Sequence, residues 1–368
     1  MKTTAILVKP QYMKVPEGNF FAELKKMVTT FANDNSKYVY LVSGIKSVLL
    51  FALYFSCYVL ILLKGNNIVW LLSTYAIMSM ATMMIFLNIV HPAAHNALFR
   101  NKKLNRICQY AFEIFGTSSY LWRVKHIRLH HPYSNIPTWD CDIEQTDLIK
   151  IFPDSKFYGF HRYQHLYAPV LYLFYTLNWL FVRDFRDFFQ KNRIVRKVVK
   201  IPAIEFYKLF LTKICYVMSM IVIPYLLLNV SLPWVLGGFI LMHIIASAIG
   251  MIALVSTHAG ETATWTYPAI NGNVEQTWAY HQMISANDFS TANPVVNLAF
   301  GHLNHHVAHH LFPSLNPELY KGVTKIVKNF SALNQLPYRC FTIRQTMSSH
   351  YNLLRSNAYN VNLLDEDM

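Results

Sequence analysis

The sequence predicts an all-α membrane protein: four transmembrane helices in two hairpins, with a cytoplasmic helical cap holding a dinuclear metal site. Three observations carry that expectation. Hydrophobic residues make up 54% of the 368 and charged residues only 14%, with a mean hydropathy of +0.23. Four apolar segments reach the length of about 20 residues that spans a bilayer. Nine histidines fall into four short groups, three of which have metal-ligand spacing.

In chain order, the segment 1–40 is largely polar and carries no secretory signal pattern, so the first span is expected to act as the insertion signal. Leu41–Leu63 and Ile68–Val90, joined by Lys64–Asn67, form a first hairpin over 41–90. The segment 91–207 is a long loop with the first two histidine boxes. Its interrupted apolar stretches, Leu104–Trp122 and Leu166–Val182, are expected to be helices lying in the membrane interface. Lys208–Val230 and Trp234–Val255, joined by Ser231–Pro233, form a second hairpin over 208–255, with Lys208 and Lys213 weakening the start of the third span. The segment 256–368 carries the third histidine box, and its end from Asn357 onward, closing in Asp-Glu-Asp-Met, reads as a frayed terminus.

Charge orients these spans. Six lysines precede Leu41, 17 Lys and Arg fall within 91–207, and six more follow Val255, whereas the two hairpin turns hold only Lys64. The positive-inside rule then puts both termini and the long loop in the cytoplasm, and with them every histidine group. The net charge of +14 fits an anionic inner leaflet better than nucleic acid, because the basic residues flank the spans, notably over Lys191–Lys200. Five cysteines form no CxxC pair and two lie within spans, which argues against a disulfide framework or structural zinc.

The histidine groups are His91 and His95, then His126, His130 and His131, then His306, His309 and His310, with His258 alone just after the fourth span. Residues three or four apart share a helix face, so each group can aim imidazoles at one point. By this spacing His126 and His130 form one pair and His131, rotated by about 100°, reaches a neighbouring metal. Nine imidazoles exceed one coordination sphere and suit two metals with four or five nitrogens each. Imidazole accepts iron, zinc, copper and nickel alike. There is no thiolate set for copper(I), nor the Glu-x-x-His motif of soluble di-iron bundles. A pair of irons that activates dioxygen against an unactivated C–H bond gives the arrangement a chemical purpose.

The text around these groups resembles the membrane fatty acid desaturases, whose boxes read HxxxH, HxxHH or HxxxHH, and H/QxxHH. The match includes Trp122-Arg-Val-Lys-His126-Ile-Arg-Leu-His130-His131-Pro-Tyr-Ser-Asn135 with Trp139-Asp-Cys-Asp142 behind it. It continues through His161-Arg-Tyr-Gln-His165, Tyr172, Thr176-Leu-Asn-Trp179, Trp278-Ala-Tyr-His-Gln282, and Gly301-His-Leu-Asn304 to His310-Leu-Phe-Pro313. It runs from about Asn88 to Pro317 and is similar to the acyl-lipid and linoleoyl-CoA subgroup. The resemblance implies an oxygen-dependent fatty acyl desaturase with two iron ions (Fe2+/Fe3+), O2 as co-substrate, and an acyl-CoA or acyl-lipid chain as substrate. Two positions depart from relatives that act near the carboxyl end: His306 stands where they usually carry Gln, and Ala308 where Glu often precedes the last His pair. No His-Pro-Gly-Gly haem motif occurs, so electrons are expected from an external donor of ferredoxin or cytochrome b5 type.

Other residues have a plain reading beside a functional one. His161, His165 and His281 can be ligands, can orient ligands, or can be hydrogen-bonded structural histidines. Asp140 and Asp142 can orient imidazoles through their distal N–H groups or cap the loop. Arg123, Lys125 and Arg128 can hold a substrate headgroup or face lipid. His243, inside the fourth span, suits an interhelical hydrogen bond, and His302 and His305 fall off the face of the third box. No residue beyond the metal ligands is required as a catalytic group. A lipid hydroxylase or ketolase would use the same metals, and a non-catalytic metal carrier would instead place polar groups at mid-bilayer depth.

Overall fold

The computed structural model describes residues 8–14, 19–143 and 146–359. Helix α1 (Phe20–Asn35) precedes a first hairpin of α2 (Val39–Lys64) and α3 (Ile68–Ala94). The loop beyond it carries α4 (Ser119–Lys125) and α5 (Asp184–Phe189) among other short helices. A second hairpin joins α6 (Ala203–Leu227) to α7 (Leu232–His258). The carboxyl-terminal region adds α8 (Trp278–Ser285), α9 (His306–Leu311), α10 (Tyr320–Leu333) and α11 (Ile343–Ser356). The strands described are two short parallel pairs, Gln11–Tyr12 with Asn273–Val274 and Asp288–Phe289 with Cys340–Phe341.

Helices α2, α3, α6 and α7 are long and apolar enough to cross a membrane. Their outward residues, such as Ile45, Val48, Leu49, Val69, Leu211 and Leu226, are exposed leucine, valine and isoleucine side chains, as a lipid-facing surface requires. Asn67 sets the first turn: its side-chain oxygen accepts from the Val69 and Trp70 amides and so caps α3. The third span runs over Ala203–Leu227 rather than Lys208–Val230. The two lysines that weaken its start are both paired. The Lys208 ammonium meets Glu205 at 2.9 Å, and Lys213 donates to Asp184 and the Gly116 carbonyl at 2.7 Å each.

The hairpins pack face to face along α3 and α7. Gly238 lets α7 approach, since a Cβ there would lie 2.4 Å from the Tyr75 ring. A π-helical turn over Met218–Val222 widens α6 and exposes carbonyls to the other hairpin. Tyr75 donates to Met220 O at 2.6 Å and Tyr58 to Ser219 O at 3.0 Å. In a membrane every backbone acceptor needs such a partner. The expected bond within the fourth span is also present: His243 meets the Thr176 hydroxyl at 2.9 Å and the Tyr216 hydroxyl at 3.0 Å.

At the end of the spans opposite the hairpin turns, the loop and carboxyl-terminal helices form a separate cap. Leu24 and Val28 of α1 pack with Val323 and Val327 of α10, under Met283, Val307 and Leu311. The amino-terminal segment therefore supplies a wall of the cap. The interrupted stretches 104–122 and 166–182 fold as short helices that do not span, with Leu104, Ile107, Leu166 and Val170 exposed. The terminus read as frayed is ordered at its start: Ala358 is buried and Asn357 donates to the Lys150 and Ile151 carbonyls. Residues 360–368 lie outside the described residues.

Candidate metal centre

The ends of α3 and α7 bring His91 and His258 to the base of the cap, and the boxes of the loop and α9 close over them. A π-helical turn over Phe86–Val90 ends where His91 begins, and a second over His126–His130 carries the middle box. Such turns add one residue to a helical turn and recur at functional sites. Gly301, at φ +59°, lets the third-box region lie against the first of these turns, because a Cβ there would sit 2.6 Å from Leu87 O. Asn88 fixes the contact by donating to Leu298 O. Helix α9 is started by Asp288, whose carboxylate accepts from the Val307 amide at 2.8 Å and from the Tyr338 hydroxyl at 2.8 Å.

All nine box histidines converge in two adjoining groups that can each hold a metal ion. Nitrogens of His91, His95, His126, His131 and His309 lie within 4.8 Å of one another, and so do those of His130, His258, His306 and His310. The middle box divides differently from its α-helical spacing. His126 pairs with His131, their Nε2 atoms 3.1 Å apart, while His130 turns to the second group. The cause is the widened turn: the His131 amide bonds to His126 O at 3.0 Å, so residues five apart share a face.

In the four-histidine group, Nε2 of His258 lies 2.8 Å from that of His306 and 3.2 Å from that of His310, and those two are 3.0 Å apart. These contacts are not hydrogen bonds. Each distal Nδ1 faces an oxygen acceptor, so it carries the ring proton: His258 donates to Ser285 O at 2.8 Å, His306 to Leu303 O at 3.1 Å, and His310 to Gln282 Oε1 at 2.8 Å. Three lone pairs therefore face one point. Burial holds His306 and His310 well below the ordinary imidazole pKa, so protonation does not relieve the repulsion. A cation between them does. An ion with metal–nitrogen bonds of about 2.1 Å keeps neighbouring nitrogens roughly 3.0–3.4 Å apart, close to the spacing observed. The donor set thus fits a first-row metal.

The five-histidine group is built alike. His91 Nε2 is 2.9 Å from His126 Nε2 and 3.1 Å from His309 Nε2. His309 Nδ1 meets the Tyr320 hydroxyl at 3.2 Å. Burial lowers His126, His131 and His309 well below the usual value, and it takes His95 to about 3 with help from the Arg123 charge. His130 differs: burial lowers its pKa, but the Asp140 carboxylate outweighs that and raises it.

Both aspartates orient imidazoles. Asp140 accepts from His130 Nδ1 at 3.0 Å and Asp142 from His126 Nδ1 at 3.3 Å. Asp142 also meets Arg183 at 3.1 Å, and Arg183 leads through the buried Asp187 to Lys125. Burial pushes the Asp142 pKa up, but His130, Arg183 and Lys125 hold it below the usual carboxylate range. Lys125 is consequently not a headgroup contact: it is 1% exposed and salt-bridged to Asp187 at 2.6 Å. Arg123 and Arg128 are exposed on the cap surface.

His161, His165 and His281 stay outside both groups. His161 is tied into a 3-10 turn, accepting from the Tyr158 amide and donating to Asp147 O at 2.8 Å. His165 faces the Tyr351 ring. His281 bridges Ser134 O and the Thr266 hydroxyl, which braces the loop after the middle box. His302 meets Glu318 and His305 meets Thr324, both away from the groups. Sequence reasoning missed Gln282, Tyr320 and Asp288. Gln282 stood within a family-like stretch, whereas Tyr320 and Asp288 carry no local signal.

A cavity reaches from His91, His126, His130, His258 and His306 down between the spans, past Met83, Phe115 and Met242 to Tyr216 and His243. The step from His243 to His258 along α7 is about 22 Å at 1.5 Å per residue. An extended apolar chain fits such a space, with one stretch held beside the histidines.

The sequence model of the fatty acid desaturase family matches residues 67–342. The chain is 29% identical to the sn-1 linoleoyl-lipid 6-desaturase of Synechocystis sp. over 73% of its own length and 75% of the relative. It is 26% identical to acyl-lipid (8-3)-desaturase B of Dictyostelium discoideum, over 94% of this chain and 76% of the other. With the acyl-lipid (8-3)-desaturase of Mortierella alpina the identity is 27%, over 78% of this chain and 65% of that one.

Proposed function

The chain belongs to the fatty acid desaturase family and is a fatty acyl desaturase, and from that premise we propose that it acts on ester-linked chains of membrane lipids, using two iron ions held by the nine box histidines. The carrying observation is the four-histidine group, whose three unprotonated Nε2 atoms meet within about 3 Å. Two irons there, supplied with O2 and two electrons, would provide the oxidising power to take one hydrogen from each of two adjacent methylenes, leaving a carbon–carbon double bond and, with two protons, two waters.

The protein's own residues do the rest. His91, His95, His126, His131 and His309 hold one metal, and His130, His258, His306 and His310 the other. Asp140, Asp142, Gln282 and Tyr320 fix the imidazoles by their distal nitrogens. Phe86, Trp122 and Trp179 line the cavity beside the histidines and keep water from the reacting carbons. An ester-linked substrate is supported by the names of the relatives, linoleoyl-lipid and acyl-lipid desaturases. Electrons come from an external carrier of ferredoxin or cytochrome b5 type.

Purified protein is expected to hold about two first-row metal ions per chain by elemental analysis, iron in active preparations. A folded, active preparation without metal overturns the proposal. The basic loop and termini assign the cap to the cytoplasmic side. Reporters inserted at Gly65 and Ser231 are therefore expected outside, and reporters at Ser155 and the carboxyl end inside. Opposite locations for Ser155 and the carboxyl end contradict a shared site.

A further inference from the structure

A second cavity lies beside the first and shares two of its wall residues, Tyr175 and Leu254. The remaining wall is mainly aliphatic: Ile149, Ile151, Leu171, Met251 and Val255. None of its lining residues is Lys or Arg, so it does not suit a phosphate-rich carrier such as CoA. It touches the metal region through Ile143 and Ala259, the neighbours of Asp142 and His258. Thr146, Ile149 and Ile151 also border a polar pocket that contains Asp147, Lys150 and Lys156.

Two apolar chambers with a common wall, and a polar pocket bordering one of them, match the parts of one molecule. The geometry points to a diacyl lipid as the occupant: the reacting chain fills the first cavity, the chain that is not desaturated fills the second, and the headgroup takes the polar pocket. This rests on the acyl-lipid reading above and extends it, because it makes the second chain a recognised part of the substrate. Burying that chain removes apolar surface from contact with bilayer lipid, so the gain comes from packing and from fixing the register of the reacting chain relative to the histidines.

The test compares two substrates in full-length protein reconstituted into nanodiscs with a ferredoxin reducing system. One is a dilinoleoyl glycerolipid and the other its single-chain lysolipid. Leu171→Trp and Met251→Trp fill the second cavity from different segments, and neither residue borders the first cavity or the polar pocket. Each is expected to lower kcat/KM for the diacyl lipid about tenfold, equivalent to about 1.4 kcal/mol, while the lysolipid changes by less than about twofold, with metal content unchanged. Equal losses on both substrates make the second cavity only a passage for the reacting chain and overturn the inference, as does no loss on either. A measurement without mutation stands beside this one. A diacyl lipid with a diazirine on the non-reacting chain is expected to label residues 146–151 and 171–178 of the unaltered protein. Labelling confined to the first cavity overturns the assignment. An unaltered protein that converts neither lipid overturns the acyl-lipid reading itself.

Discussion

Replacing His258 by alanine is expected to reduce desaturation to background and to lower bound metal from about two ions per chain to about one. His258 is the single member of its group that comes from a span, and it closes the triangle of Nε2 atoms with His306 and His310. Its ring is set by the Ser285 carbonyl, while His281 is held by Ser134 O and the Thr266 hydroxyl. Removal leaves His130, His306 and His310 around an ion that has lost a bond. Loss of a residue that merely orients a ligand costs about 10–100-fold in affinity or activity, and loss of the ligand itself exceeds that. His305→Ala is the control, because its imidazole bonds to Thr324 within the cap. That variant is expected to keep both metals and most of its turnover. The measurement is metal content together with product formation for both proteins. A His258→Ala variant with two metals and normal turnover removes this residue from the centre and with it the proposed four-nitrogen site.

Much of this centre is legible in the sequence, and the residues that are not have identifiable reasons. The boxes name eight of the nine histidines because their spacing survives any helical geometry, and His258 is found by its place just after the fourth span. The division of the middle box does not, since α-helical spacing pairs His126 with His130 and only the π-helical turn pairs His126 with His131. One inserted residue per turn is invisible in a pattern of identities. Lys125 reads as a surface cation because its partner Asp187 lies some 60 positions away. The weak start assigned to the third span has the same origin, as Lys213 is neutralised by Asp184 from another helix. His161 and His165 repeat box spacing, but a 3-10 turn and a bond to Asp147 O direct His161 into the loop's own support. Periodicity reports which face a residue occupies. Distant partners decide what the face meets.

Those distant partners support the second large effect, which separates the two aspartates behind the middle box. Asp140→Asn keeps the shape of the side chain but replaces a carboxylate that accepts from His130 Nδ1 and from the amides of Asn135, Asp142 and Ile143. One of those donors must then face an NH2 group. If it is His130, the imidazole loses its fixed tautomer, and metal affinity at the four-histidine site or turnover is expected to fall about 10–100-fold. Asp142→Asn acts on the other group through His126, and it also strips a charge from Arg183, which is 2% exposed. Leaving a buried cation without its partner costs about 3–5 kcal/mol, softened here by Asp187. The two variants should therefore differ in kind. Asp140→Asn is expected to lose metal affinity with a nearly unchanged unfolding temperature of the metal-free protein, and Asp142→Asn to lose both. Metal titration and thermal unfolding of the two proteins side by side measure this. Unchanged metal affinity in Asp140→Asn makes Asp140 a loop cap alone. A metal-free Asp142→Asn protein as stable as the unaltered one means Arg183 is held by Asp187 and the Cys141 carbonyl without it.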